Sequence, residues 1–343
     1  MTGEFRFTFG PWNIHEGADP FGPAVRETIE FNKKISLYKK LGFDGVQFHD
    51  DDAVPDMNNL SSEKIIKEAS AVGMKLKNHG LIAEFVAPRL WEDPMTIDGG
   101  YTSNDPKCRE YAIERSKRAI DIANSLETDL LVLWLAREGT YIRESKDSKV
   151  AVELLLKAIN EMLEYDPKIR ICIEPKPNEP VDQAYIPTIG HAIALGHLSI
   201  DPYRVGVNIE SAHAILAGLD PSDEMGYALA HKKLWTVHLN DQNGLKFDED
   251  KSFGSVNLRR AFNQVRILDK HGYGRNGEWV GLDVKAMRTQ KDETATQHLK
   301  NSREVFLRLL EISREMDDNI IDNYIKNRDY EGLDQYVINC LIK

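Results

Sequence analysis

The chain has 343 residues, 41% of them hydrophobic and 29% charged, the balance of a globular protein with enough apolar material for a large core. Its formal net charge of −11 argues against nucleic acid or an anionic membrane as the main partner. Three cysteines (Cys108, Cys172, Cys340) make no C-x-x-C pair, the start MTGEFRFTFG lacks signal-peptide regions, and no apolar run approaches about 20 residues; a reducing, cytoplasmic setting is expected.

Short apolar runs recur at Phe5–Gly10, Gly45–His49, Met74–Lys77, Leu130–Trp134, Arg170–Glu174, Val205–Glu210, Leu234–Leu239 and Trp279–Asp283. Helical patterns lie between most of them, at Ile29–Leu41, Glu63–Val72, Cys108–Leu126, Ser148–Tyr165 and Val256–His271. Alternation of strand and helix implies parallel strands, because a parallel return needs a crossover. Eight such units suit a closed (β/α)8 TIM barrel over residues 1–298. The third unit is the most irregular, since 78–100 has no clear pattern. Residues 299–343 read as a polar helical tail without a strand of its own, packed on the barrel or on another subunit. GYGRNG (272–277) matches the spacing of a dinucleotide fingerprint, but it follows a helix and precedes a strand, so it reads as a connection.

The C-terminal ends of the runs carry His49 with Asp50–Asp52, Trp134, Glu174 with Lys176, Glu210 with His213, His238, and Asp283 with Lys285. Barrel enzymes place their sites at this rim. Any one of these carboxylates alone would read as a helix cap. Five strands ending in metal-capable side chains would not. Glu174, Glu210, Asp248, Asp250 and Asp283 would crowd like charges at one mouth unless cations offset them. Oxygen ligands with one or two imidazoles suit Mg²⁺, Mn²⁺ or Co²⁺. Lys176, between two prolines in EPKPNEP, sits in a stiff loop suited to holding one substrate oxygen. Trp12, Tyr101 and Trp134 offer apolar walls for a sugar.

The segments FTFGPW (7–12), DPFG (19–22), FHDDD (48–52), DGGYTSND (98–105), REG (137–139), EPKPNEP (174–180), GVNIESAH (206–213), LNDQNGLKFDED (239–250) and LDVKAMRT (282–289) resemble, in order, the shorter class of xylose isomerases. The resemblance implies a homotetramer or dimer that converts D-xylose to D-xylulose by ring opening and a hydride shift, with two divalent metal ions per subunit and no redox cofactor. It implies that Glu174, Glu210 and Asp283 hold one ion and Glu210, His213, Asp248 and Asp250 the other. It implies that His49, oriented by Asp52, opens the sugar ring and that Lys176 binds the C1 oxygen. Trp12, Tyr101 and Trp134 would line the pocket, Glu179 would touch it, and Phe21 would reach in from a neighbour.

Three departures from that family are visible. His238 stands where a fourth carboxylate is usual on the first ion, which predicts a preference for Mn²⁺ or Co²⁺ over Mg²⁺. The segment NHGLIAEFVAPRLW (78–91) lacks the usual Thr-Thr-Asn-Leu-Phe type of sequence, and Leu135 and Ala136 replace glycines beside Trp134. The C-terminal extension is short, although LDQYVINCLI (333–342) is retained. The alternatives are a related two-metal enzyme on another sugar (an epimerase, another aldose isomerase or a glycoside lyase) and a non-catalytic sugar-binding descendant.

Overall fold

The computed structural model describes residues 5–19 and 21–342. Residues 1–4 and Lys343, the outer ends of the expected barrel and tail, lie outside the described residues, as does Pro20. Eight parallel strands close into a barrel: β1 (Phe7–Phe9), β2 (Gly45–His49), β3 (Ile82–Ala87), β4 (Leu130–Trp134), β5 (Arg170–Glu174), β6 (Val205–Glu210), β7 (Leu234–Leu239) and β8 (Trp279–Leu282). The ring shuts where β1 pairs β8, with Phe7 opposite Val280 and Phe9 opposite Leu282. Each strand is followed by a helix: α1 (Phe31–Leu41), α2 (Ser62–Asn78), α3 (Pro106–Ser125), α4 (Ser148–Tyr165), α5 (Ile189–His197), α6 (Pro221–Ala230), α7 (Leu258–Lys270) and α8 (Gln297–Glu315).

The third strand corrects the sequence reading. Met74–Lys77 is the last turn of α2, and the strand lies eight residues later. The apolar spacing of α2 explains this: Ile65, Ala69, Val72 and Leu76 are buried at helical intervals, while Met74 is 61% exposed. β3 escaped notice because Glu84 interrupts its apolar run. Pairing jumps from Val46–Ala83 to Phe48–Val86, a bulge that sets both Glu84 and Phe85 against Gln47. The Glu84 carboxylate is buried and accepts from Thr8 Oγ1, from Thr236 Oγ1 and, at 3.0 Å, from Gln47 Nε2. Gly281 faces the same floor, and a Cβ there would stand 2.4 Å from Gln47 Nε2 and 2.6 Å from the Val237 carbonyl. Only glycine fits that approach.

Two apolar layers hold the barrel together. Phe85, Ala87, Leu130, Val132 and Cys172 pack inside it, whereas Leu131, Leu133, Ile171 and Ile173 join the cluster beneath the helices. Helix starts follow chain chemistry: Asp105, Asp147 and Asp220 accept from the first backbone N–H groups of α3, α4 and α6, with proline at the start of α3 and α6. Phe306 on α8 is fully buried and meets Phe5 and Phe7 edge-on, at 5.1 and 5.3 Å. Residues 299–315 are therefore barrel wall. α9 (Asp318–Asn327) and α10 (Tyr330–Leu341) lie outside, with Leu333, Val337 and Leu341 half-buried against the core and with ion pairs from Arg266 and Lys270 to Asp318 and from Arg259 to Asp334. GYGRNG joins α7 to β8, with Gly272, Gly274 and Gly277 all at positive φ. Among the described residues no helix is long and apolar enough to cross a membrane.

Candidate active site

A cavity of about 360 Å³ opens at the C-terminal end of the barrel. Its lining includes Trp12, His49, Trp134, Glu174, Lys176, Glu179, Glu210, His213, His238, Asp248, Asp250 and Asp283, most of the residues singled out in the sequence. One expected wall residue is elsewhere. Tyr101 is buried behind the wall, its hydroxyl 2.7 Å from Ser116 Oγ on α3, which corrects its expected place in the pocket. Phe21, expected to reach into a neighbour's pocket, is 83% exposed, edge-on to Phe247 at 5.9 Å, and does not line the cavity of its own chain. Leu135 and Ala136 are buried and do not line the cavity.

Glu210 is the centre of the charged cluster. Ligand atoms of Glu210 lie within 4.8 Å of one another in three groups: with Glu174 and His213, with His238 and Asp283, and with Asp248 and Asp250. Unlike the aspartates that cap helices, Glu210 makes no side-chain capping bond, although it precedes the helix Ser211–Leu216. The loop FDED divides its carboxylates: Asp248 and Asp250 turn to the cavity, while Glu249 turns back to accept from Asn243 N at 2.8 Å. Asp250 adopts φ 46°, a left-handed conformation that aspartate tolerates better than most residues.

The sequence reading missed a set of neutral amides that hold these acids. Asn208 Nδ2 donates to Glu174 Oε2 at 2.7 Å, and Asn240 Nδ2 donates to Glu210 Oε1 at 2.8 Å. Asp283 Oδ1 accepts from both Trp12 Nε1 (2.9 Å) and Asn13 Nδ2 (2.8 Å), leaving Oδ2 toward His238. The one available signal was spacing: Asn208 stands two residues before Glu210 on one strand, so both face the barrel interior. Arg89, Trp91 and Phe85 also line the cavity, from the segment whose sequence departs from the family pattern.

Proton affinities follow from crowding. Burial, then Asp248, Asp283 and Glu174, push Glu210 well above the usual carboxylate range. Burial and Asp248 raise Asp250 to about 7 despite Lys285, whose Nζ is 2.7 Å away. Burial alone would lower His238, but Glu174 at 3.5 Å overrides it and lifts the imidazole to about 9. Burial disfavours the charged form of Glu174 as well, yet His238 and His213 hold it down to about 2. Lys176 Nζ lies 3.0 Å from Asp248 Oδ2 and 3.1 Å from Glu179 Oε2, and both acids raise it above its ordinary value against burial.

The residues fit a metal ion on independent grounds. Both ring nitrogens of His238, Nδ1 of His213 and Oδ1 of Asp248 are buried without a hydrogen-bond partner among the described residues. Such orphaned groups are costly unless something satisfies them. Carboxylate oxygens with two imidazoles form a donor set for a divalent cation.

Residues 35–316 match the model of the xylose isomerase-like TIM barrel. The chain belongs to that family. It is 35% identical over 296 residues to the xylose isomerase of Thermus thermophilus, covering 84% of this chain and 75% of that one. Among solved structures, a D-tagatose 3-epimerase-like protein shares the fold with a TM-score of 0.65 at 17% identity, covering 90% of this chain and 98% of its own. An IOLI protein with a bound zinc atom does so with a TM-score of 0.61 at 14% identity, covering 91% of this chain and 100% of its own.

Proposed function

We propose that the protein interconverts an aldose and its ketose by opening the sugar ring and shifting hydrogen from C2 to C1, with D-xylose the first substrate to try. The observation that carries this reading is one cavity in which the acid–imidazole cluster around Glu210 faces both Lys176 and His49.

Glu174, Glu210, Asp283 and His238 would hold one divalent cation, and Glu210, His213, Asp248 and Asp250 a second. Such ions supply Lewis-acid polarisation of the sugar's oxygens. The chain's own residues do the rest. His49 Nδ1 lies 2.9 Å from Asp52 Oδ2, so Nε2 is the ring nitrogen left for substrate. It can take the anomeric hydroxyl proton and deliver one to the ring oxygen as the C1–O5 bond breaks. Lys176, kept protonated by Asp248 and Glu179, donates to the C1 oxygen. Trp12, Trp91 and Trp134 shield the open chain from water, with Trp91 edge-on to Trp134 at 4.6 Å. Replacement of a carboxylate by His238 favours Mn²⁺ or Co²⁺ over Mg²⁺.

The test is ketose formation from a panel of aldoses after metal removal and re-addition of Mg²⁺, Mn²⁺ or Co²⁺ singly. Metal-dependent conversion is expected, with loss of about 10²–10³ in kcat for Lys176→Met, the scale of removing one aimed donor. Full turnover in that variant would defeat the role given to Lys176. A second reading, an epimerase on a ketose, is favoured by the altered wall of Ala87, Arg89 and Trp91 and by the fold shared with the D-tagatose 3-epimerase-like protein. Epimer formation from ketoses without any aldose conversion would select it.

A further inference from the structure

The run Asp50–Asp52 places three carboxylates side by side on one four-residue helix behind His49. Two arginines divide them. Arg115, from α3, takes Asp50 with two bonds, Nε to Oδ2 at 2.7 Å and Nη2 to Oδ1 at 2.9 Å, and reaches Asp51 Oδ2 at 3.2 Å. Arg89 takes the cavity side. Its Nε donates to Asp51 Oδ1 at 2.8 Å and its Nη2 to Asp52 Oδ1 at 3.0 Å, while its backbone N–H donates to Asp50 Oδ1 at 3.1 Å. Nη1 lies 3.5 Å from Glu92 Oε1, so each nitrogen of the guanidinium faces an acid of its own chain.

Asp52 therefore has divided oxygens: Oδ1 belongs to Arg89, and Oδ2 accepts from the His49 backbone N–H at 3.1 Å. Oδ2 also lies 2.9 Å from His49 Nδ1, a buried ring nitrogen that no aligned hydrogen bond satisfies among the described residues and for which this oxygen is the carboxylate at hand. The imidazole plane is set separately, stacked on Trp12 at 4.0 Å and met edge-on by Trp91 at 5.0 Å. Packing fixes the plane of the ring; the choice of protonated nitrogen falls to Asp52. Charge-assisted forks of this kind orient a carboxylate more strictly than neutral bonds do. We infer that Arg89 is a positioning residue, clamping Asp51 to Asp52 so that Asp52 holds His49 in the Nδ1–H tautomer and leaves Nε2 for the sugar ring. The inference deepens the proposed isomerase reading and rests on it for the chemistry of His49, but not for the tautomer.

Two readouts on full-length, Mg²⁺-bound protein test it. In ¹⁵N spectra of histidine-labelled protein, His49 is expected as a single Nδ1–H tautomer, becoming a mixture of both tautomers in Arg89→Gln. In turnover, Arg89→Gln should lose roughly tenfold or more on D-xylose, within the range of a general acid–base contribution, and several-fold less than that on D-glyceraldehyde, too short to form a ring. Because Arg89 acts through Asp52, Arg89→Gln with Asp52→Asn should be no worse than Asp52→Asn alone. An unchanged His49 tautomer in Arg89→Gln overturns the inference whatever the activity. So do equal losses on the two sugars, or losses that multiply in the double variant. If the wild-type protein isomerises neither sugar, the isomerase reading fails, and the spectra still decide the position of Arg89.

Discussion

Glu210 can serve two cations only if its neighbours give up their protons, and this makes the site sensitive to pH. His238, lifted to about 9, and Asp250, lifted to about 7, both sit above their ordinary values. A raised folded-state value means that the metal-free fold gains stability at low pH and loses it as pH rises through about 7 and then about 9. Cation binding needs those same protons gone and so strengthens over that interval. The increase in Tm on adding Mn²⁺ should accordingly grow between the two values, as followed by scanning calorimetry; an increase that shrinks there would contradict the assignment. A His238→Asp variant restores a fourth carboxylate and should narrow the activity ratio of Mn²⁺ to Mg²⁺ by about tenfold, or ~1.4 kcal/mol of selectivity. At this scale the sequence was readable for the acids and imidazoles of the cluster, but not for Arg89 or the buried Glu84. Glu174, Glu210, His213 and Asp283 announce themselves at or just past strand ends, and Asp248 and Asp250 by their spacing in the loop after β7. Asn13, Asn208 and Asn240, which aim those acids, carry no charge and look like any other polar residue.

Seven of the eight strands stand out as apolar runs, most of them with a helical pattern beside them, whereas β3 does not. The run MKLK mimics strand alternation at the end of a 17-residue helix, and the real strand contains a buried acid. Glu84 is tolerated because three donors from β1, β2 and β7 converge on it, and none of these is near it in sequence. Long-range satisfaction of that sort leaves no local trace. The same holds for Tyr101, whose aromatic ring suggested a pocket wall and whose hydroxyl instead finds Ser116. α8 is held by packing more than by polar contacts. Phe306→Ala should cost about 3–5 kcal/mol, the usual range for a fully buried phenylalanine. Metal affinity measured by calorimetry below the lowered Tm should be unchanged, since Phe306 does not line the cavity.

The closed ring of eight units follows from counting strand–helix repeats, and it needed no correction beyond the third. What covers the outer surface is less legible, because exposure looks the same in sequence whether it faces water or another subunit. α9 and α10 fully bury only Ile321; Leu333, Val337 and Leu341 pack half-buried against the core, and the surface ion pairs that add to this are individually worth about 0–1 kcal/mol. We propose that this extension and the loop carrying Phe21 meet a second copy of the chain. Light scattering should then give an integral multiple of the single-chain mass. Phe21→Ala should lower kcat/KM without moving Tm; unchanged kinetics in an associated protein would remove Phe21 from the partner's site.

The bonds from Trp12 and Asn13 to Asp283 span the junction of β1 and β8, the place where the beginning of the barrel meets its end. His298 on α8 reinforces the junction by pairing Nε2 with the Asn13 carbonyl at 2.8 Å. Asn13 and Asp283 are 270 residues apart, so whatever steadies Asp283 also closes nearly the whole chain into a loop. In polymer terms, the entropy of closing a loop grows only logarithmically with its length, which lets one well-placed contact secure a very long stretch. A cation on Asp283 would act as the pin of a clasp, and a chelator would then reach beyond the chemistry of one pocket, freeing the first strand to peel from the last.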